Sequence, residues 1–260
     1  MSQPAPIASW KLGAIGVAAG MLGGGLGVGG GIVMVPLLVW VAMDRHRAHA
    51  TSLAGIVFIS TAGAASFGFS GQADLGIGVV VGLGGIVGSV IGASVMHRVS
   101  PRALTIVFGL VLLLAAIRMI LSAEPLPGAV DFSDLTRIVV GLAIGVIAGF
   151  FAGLAGIGGG VVIVPSTVLL LGLDQHQAQG TSLVAIVFTA VAGSLVNFRN
   201  QRVRPVDGLL VGIGGVAGSL LGSRIALLIE GRALSFVFGI LVLYVAVRSL
   251  LRALRRPTAT

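Results

Sequence analysis

The chain has 260 residues, of which 56 % are hydrophobic and only 9 % are charged, whereas a soluble domain carries roughly 25 % charged residues because its surface faces water. This composition excludes an ordinary soluble enzyme, and the absence of cysteine excludes disulfides, cysteine–zinc sites and thiol nucleophiles. The net charge of +8 comes from basic residues in short gaps between apolar runs, which indicates membrane topology and not a nucleic-acid partner.

Eight apolar stretches follow one another along the chain, as expected of an all-α polytopic membrane protein. In chain order they cover residues 12–43, 51–71, 75–96, 103–121, 138–173, 181–198, 208–229 and 233–251. The first and the fifth would run about 50 Å as single helices, well beyond the ~30 Å hydrocarbon core. Because glycines interrupt both of them, each is predicted to form a broken pair of shorter helices, followed by three spanning helices.

The chain is a tandem duplication, which is its strongest sequence signal. The block at residues 27–36 recurs at 156–165, and the block at 44–53 recurs at 174–183. The predicted organisation is a first repeat over residues 8–121, an external linker over 122–136, a second repeat over 137–252 and a cytoplasmic tail over 253–260.

Arginine placement predicts that the two repeats are inverted. In the first half most arginines fall on one side of the predicted spans, for example Arg45 and Arg47, and in the second half most fall on the opposite side, for example Arg199 and Arg248. Because cytoplasmic loops retain positive residues, this opposite bias predicts opposite orientations. Each broken stretch would then cross twice or re-enter, leaving both termini on the cytoplasmic side of the inner (plasma) membrane. A single kinked crossing, which would give parallel halves, stays open.

The glycine runs inside the two broken stretches form the predicted binding site. A helix that restarts after such a run points its first N–H groups and its dipole back into the break, which suits a small anion. Two breaks related by inversion would meet near the membrane midplane. The predicted binding glycines are Gly29, Gly30, Gly31, Gly158, Gly159 and Gly160.

Other glycines and two prolines have structural predictions. A four-residue spacing places glycines on one helix face and predicts close helix packing. These packing glycines are Gly84, Gly88, Gly92, Gly214, Gly218 and Gly222. Pro36 and Pro165 lie inside the second helix of each broken pair, and they are predicted to kink it.

Polar side chains near the breaks supply further binding candidates. Two Thr-Ser pairs are predicted to cap the helices that they open, or to donate hydrogen bonds to the anion. These are Thr51, Ser52, Thr181 and Ser182. Asn197 is a weaker candidate near the end of a span, and Asp44 and Asp174 are predicted to end turns.

The histidines offer a second, less direct set of candidates. His46 and His176 are matched in the two repeats and titrate near neutral pH, so they are either gating residues or interfacial histidines without a role. A metal pair at His46 and His49 is rejected, because the second half has Gln179 at the position equivalent to His49. No metal and no cofactor is predicted.

The duplicated Gly-Gly-Gly-(Ile/Val)-Val-x-Val-Pro motif, followed by x-x-Ala-x-(Ala/Gly)-Thr-Ser-Leu, resembles the TauE/SafE family of sulfite exporters. The resemblance covers both halves, residues 10–252, and implies a bacterial-type inner-membrane permease. Its implied partners are the lipid bilayer and small sulfur-containing anions such as sulfite, sulfoacetate or other organosulfonates. Relatives that rely on cysteine are no mechanistic guide, because this chain has none.

Other functions stay open at this stage. An anion channel, or a carrier of carboxylates or other small anions, would use the same kind of site. A non-transport membrane assembly protein would use only the packing glycines. An enzyme is not expected, because the four histidines do not pair deep in a span and no deep acidic residue accompanies them. The oligomeric state is open, with a homodimer as one option.

Overall fold

A computed structural model describes residues 8–95, 101–121, 133–155, 159–199 and 204–255. Over these residues the chain folds into ten α-helices without a strand, as the apolar pattern predicts. Most of the predicted linker, the end of the predicted tail and the binding candidate Gly158 lie outside the described residues.

The helices fall into two sets of five, one in each repeat. The first half holds α1 (Ser9–Gly25), α2 (Gly31–Trp40), α3 (Arg45–Phe69), α4 (Leu75–Val95) and α5 (Pro101–Leu121). The second half holds α6 (Asp134–Ala155), α7 (Gly160–Leu171), α8 (Gln175–Arg199), α9 (Pro205–Leu228) and α10 (Gly231–Arg255).

Six of the described helices are long and apolar enough to cross a membrane by length and composition: α3, α4, α6, α8, α9 and α10. This agrees with the predicted polytopic all-α class. One detail differs from the prediction. The helix α6, the first part of the second broken stretch, is itself long enough to span, although it was predicted to be a short helix.

The helices α3 and α8 begin earlier than the sequence predicts, because an aspartate caps each of them. The Asp44 carboxylate accepts two backbone N–H groups in the first turn of α3, at 3.0 and 3.4 Å. The Asp174 carboxylate accepts one in the first turn of α8, at 2.9 Å. These aspartates, predicted to end turns, are therefore N-caps. The predicted capping role is wrong for Thr51, Ser52, Thr181 and Ser182, which lie in later turns.

The first two helices form a hairpin and not one kinked helix. After the break at residues 26–30 the chain turns back, so that Gly30 lies against the carbonyl of Ala19 in α1. Leu12 near the start of α1 and Leu38 near the end of α2 share one core cluster. The helix α2 therefore returns toward the end at which α1 begins, and α3 starts from there. The helices α6 and α7 pack together as the equivalent pair.

The contacts of one half are repeated in the other. The helix α1 packs against α9, and its counterpart α6 packs against α4. Likewise α3 packs against α9, and α8 packs against α4. The equivalent helices α3 and α8 pack against each other, as do α5 and α10. In each half, the first and third helices thus pack against the fourth helix of the other half.

Equivalent helices of the two halves run in opposite directions. Gly63, late in α3, lies against Leu183, early in α8, whereas Gly193, late in α8, lies against Leu53, early in α3. The helices α5 and α10 cross in the same antiparallel order. Antiparallel equivalent helices are the geometry that an inverted repeat requires.

Glycines make the closest contacts between helices. A Cβ on Gly88 would overlap the carbonyl oxygen of Val146 in α6, and a Cβ on Gly218 would overlap that of Val17 in α1. The other evenly spaced glycines of α4 and α9 face the same two helices. The predicted packing role is confirmed, because only residues without a side chain allow α4 to reach α6, and α9 to reach α1, at backbone distance.

Candidate functional site

The first break is built from glycines in left-handed backbone. Gly27, Gly29 and Gly30 have φ angles of 73°, 76° and 84°, which a residue with a Cβ adopts only at a cost of roughly 1–2 kcal/mol. Gly30 is the N-cap of α2, and no side chain accepts a hydrogen bond there. The first N–H groups of α2, beginning at Gly31, therefore have neither a helical carbonyl nor a capping side chain in front of them.

The last residue before the helix has a different backbone conformation in the second break. Gly159, the residue equivalent to Gly30, has a φ of −65° in the right-handed helical region. It is the N-cap of α7, and again no side chain caps the helix. Both breaks thus end in an uncapped helix start, but their N-cap residues Gly30 and Gly159 differ in conformation.

The start of α7 meets the first break in the interior of the bundle. The position of a Cβ on Gly160, at the start of α7, lies 2.6 Å from the Cα of Val28 and 2.7 Å from the carbonyl oxygen of Gly27. All three residues are buried. The start of α7 therefore lies directly against the first break, and this approach is the one that the duplicated glycine runs predict.

The two hydroxyls of the second half, those of Thr181 and Ser182, form hydrogen bonds within the protein. The Ser182 hydroxyl donates to the carbonyl oxygen of Gly27 at 2.8 Å, which fastens α8 to the first break. The Thr181 hydroxyl accepts from the backbone N–H of Asp74 at 2.9 Å. Both side chains are buried, so they fix the break and the loop before α4.

The hydroxyl pair of the first half has no such partner. Thr51 and Ser52 are buried to at least 99 %, and neither hydroxyl has a hydrogen-bond partner among the described residues. Ser52 is the repeat equivalent of Ser182, and the equivalent of its partner Gly27 is position 156, which lies outside the described residues. An unmade hydrogen bond costs a buried polar group roughly 1–3 kcal/mol, and a ligand role for these hydroxyls stays a prediction.

Two further polar side chains at the first break were not predicted from the sequence. Gln179 packs its Cα, Cβ and Cγ against Gly27, and its amide is fully buried with both polar atoms unpartnered. The Ser60 hydroxyl lies 3.2 Å from the Cβ position of Gly29 and is also buried without a partner. Gln179 could have been found from the sequence, since it lies one helical turn before the predicted candidate Ser182. Ser60 could not, because it is one of several serines in an apolar run.

The remaining candidates lie elsewhere. Asn197 donates to the carbonyl of Gly193 in its own helix at 2.8 Å, roughly 16 Å along α8 from the residues that touch the breaks. His46 is exposed at the start of α3. The His176 Nε2 lies 3.1 Å from two carbonyl oxygens at the end of α9, those of Ala226 and Ile229. Neither histidine is brought to the breaks.

The two prolines lie inside their helices in different surroundings. Pro36 is exposed on α2, whereas Pro165 is buried in α7 together with the four residues before it. The predicted kinks stay predictions.

Two ion pairs join helix ends and leave the breaks uncharged. The Arg47 guanidinium lies 2.8 Å from the Asp207 carboxylate at the start of α9. The Arg137 guanidinium lies 3.2 Å from the Asp74 carboxylate before α4. Each pair connects residues of the two halves, and each neutralises its own charges near the ends of the helices.

The architecture defines a polytopic helical membrane protein with two broken helix pairs that meet around buried polar groups. Residues 140–260 match the protein family described as Sulfite exporter TauE/SafE. The chain is 27 % identical over 240 residues to a probable membrane transporter protein of Xylella fastidiosa (strain Temecula1), an alignment that covers 90 % of each chain. It is 26 % identical over 254 residues to the probable membrane transporter protein YunE of Bacillus subtilis (strain 168), covering 89 % of this chain and 93 % of YunE. No solved structure matches the chain.

These matches agree with the duplicated motifs. The second half of the chain, residues 140–260, thus matches the TauE/SafE family model, and the relatives that align with nearly the whole chain are named as probable membrane transporter proteins.

Proposed function

We propose that this transporter is a permease for small sulfur-containing anions such as sulfite or organosulfonates, which bind between the two glycine breaks. The observation that carries the proposal is the meeting of the uncapped start of α7 with the first break, beside the buried and unpartnered amide of Gln179. Uncapped N–H groups and the positive ends of helix dipoles attract an anion. The amide of Gln179 and the hydroxyl of Ser60 would add donors.

The energetics of burial support a ligand in this position. Each unpartnered polar group in the interior costs roughly 1–3 kcal/mol, and the surrounding lipid offers no compensating water. Two such groups lie against the first break, the hydroxyl of Ser60 and the amide of Gln179. A ligand that accepts their hydrogen bonds would recover this cost.

The antiparallel arrangement of equivalent helices supports an inverted membrane topology with the anion near the midplane. In that topology both termini face the cytoplasm and the linker over residues 122–136 faces outward. Efflux of a monoanion from a cell that is negative inside gains about 2.3 kcal/mol per 100 mV, so export needs no coupling ion. Because the chain lacks cysteine, Ala129→Cys can be labelled selectively. We expect labelling from outside intact cells; labelling from the cytoplasm alone would contradict the topology.

Flux measurements in proteoliposomes test the binding site. We expect saturable sulfite flux that Gln179→Leu lowers by about tenfold, which corresponds to a loss of roughly 1.4 kcal/mol of binding free energy. The same substitution should leave stability unchanged or raise it, because an unpartnered buried amide is replaced by an apolar group.

Gln177→Leu is the matched control, since Gln177 lies on the same helix and is only half-buried. Wild-type flux in Gln179→Leu would contradict the site. Flux that rises linearly with concentration would indicate a channel, and carboxylate flux without sulfite flux would indicate a carrier of another small anion.

A further inference from the structure

We infer that the site between the breaks selects singly charged oxyanions over doubly charged oxyanions of the same size. The inference rests on the proposed function and concerns the charge of its substrate. It follows from the chemistry of the groups around the breaks, which are polar but uncharged.

The donors at the site are neutral. The amide of Gln179 and the hydroxyl of Ser60 are buried and unpartnered among the described residues, and backbone N–H groups at the starts of α2 and α7 complete the set. Each of these groups contributes a dipole and none contributes a full charge.

The segments that form the breaks carry no acidic or basic residue. None of Asp, Glu, Lys or Arg occurs within residues 12–43 and 138–173, which hold the two broken stretches. The same is true of residues 48–73 in α3 and its following turn, and of 175–198 in α8. The charged side chains nearest to these segments include Arg47 and Asp74, and both are in ion pairs that neutralise them.

Two titratable side chains lie within these segments. His49 of α3 occupies the repeat position equivalent to Gln179, and it is half-buried. His176 of α8 faces the carbonyl oxygens at the end of α9. The first repeat therefore has a histidine where the second repeat has an amide.

Neutral donors favour low charge because of solvation. The cost of moving an ion from water into a low-dielectric interior rises with the square of its charge, so a dianion costs about four times as much as a monoanion of equal radius. The favourable interaction energy between the ion and the fixed dipoles rises only in proportion to the charge. Without a cation at the site, the desolvation cost of a dianion exceeds the gain from the dipoles by more than that of a monoanion does, so the monoanion binds more tightly.

A matched pair of ligands tests the inference on the wild-type protein. Methanesulfonate and sulfate are similar in size and shape but carry one and two negative charges. We expect methanesulfonate to half-saturate thermal stabilisation in detergent at a concentration at least about tenfold lower than sulfate, at equal pH and ionic strength. Equal affinity, or tighter binding of sulfate, would overturn the inference while leaving an anion site in place. Stabilisation and flux by neither anion would instead remove the proposed function.

Variants of Gln179 test whether the charge selectivity arises at this position. Gln179→Lys places a cation beside the first break, and we expect the methanesulfonate-to-sulfate affinity ratio to fall by at least about tenfold. Gln177→Lys, on the same helix and half-exposed, should leave the ratio unchanged. If the buried lysine prevents folding, Gln179→His introduces the residue found at the equivalent position and should lower the ratio below pH 6. An unchanged ratio in a folded Gln179 variant would overturn the inference.

The His49→Gln variant completes the test. It makes the two halves alike at this position, and the preference for the monoanion should persist. Loss of the preference in this variant would overturn the assignment of the selection to neutral donors, because it would show that the histidine sets it.

Discussion

The two broken helix pairs share a sequence motif but differ in backbone and surroundings. In the first pair, the three break glycines at 27, 29 and 30 have positive φ, and α2 leaves Pro36 and Trp40 exposed. In the second pair, Gly159 has ordinary helical φ, and α7 buries Pro165. The helix α7 packs against α5 as well as α8, and this additional neighbour covers it.

The difference shows that a duplicated motif does not give a duplicated environment. The glycines determine where each helix ends, which is a local property of the chain. Burial and hydrogen bonding depend on which helices lie nearby. The Ser182 hydroxyl donates its hydrogen bond to the carbonyl of Gly27, whereas the Ser52 hydroxyl has no partner among the described residues. Ser182 of the second half therefore fastens α8 to the first break, whereas the equivalent serine of the first half makes no such bond.

The largest expected effect separates the two break glycines. Gly30→Ala should lower the free energy of unfolding by about 2–4 kcal/mol, because a Cβ would add left-handed strain and crowd the carbonyl oxygen of Ala19 at 2.6 Å. Gly159→Ala should change it by less than about 1 kcal/mol, because its φ is ordinary and the nearest contact is at 3.3 Å. Denaturant unfolding in detergent measures both.

Gly68→Ala is the control for this pair, since nothing lies within 4 Å of its Cβ position and its φ is not positive. Equal destabilisation by Gly30→Ala and Gly159→Ala would mean that the two breaks are alike in the folded protein.

Much of the fold could be predicted from the sequence because its signals are local. Apolar length identifies α4 and α9, and the glycine runs identify where α2 and α7 begin. The starts of α3 and α8 were missed, because Arg45 and Gln175 precede the apolar runs and the aspartate caps lie outside them. A helix boundary in a polar segment is determined by capping and not by hydropathy.

The candidate site was predictable only in part. The glycine motif pointed to the meeting of the breaks, since inversion requires it. The partners of individual side chains could not be predicted, because Ser182 and Gly27 are 155 positions apart and pair only through the packing of α8 on the first hairpin. The same holds for Gln179, whose contact with Gly27 depends on the tertiary arrangement.

A smaller effect separates the two equivalent serines. Ser182→Ala should lower the free energy of unfolding by about 1–3 kcal/mol, because it leaves the buried carbonyl of Gly27 without its donor. Ser52→Ala should change stability by no more than about 0.5 kcal/mol, because its hydroxyl has no partner to lose. It should instead weaken stabilisation by methanesulfonate. Unfolding with and without the anion distinguishes the two effects, and a destabilised Ser52→Ala that binds normally would assign Ser52 to structure.

The smallest effect concerns the helix caps, where the two halves should agree. Asp44→Ala and Asp174→Ala should each lower the free energy of unfolding by about 1 kcal/mol, because each removes the side-chain acceptor at the start of a long helix. Asp44→Asn and Asp174→Asn should retain most of this stabilisation, since asparagine caps a helix nearly as well as aspartate does. A cap depends on residues within one turn of it, so duplication should preserve its energy even where the surrounding helices differ. If Asp44→Ala and Asp174→Ala differed by as much as the break glycines, tertiary surroundings would dominate the helix starts as well.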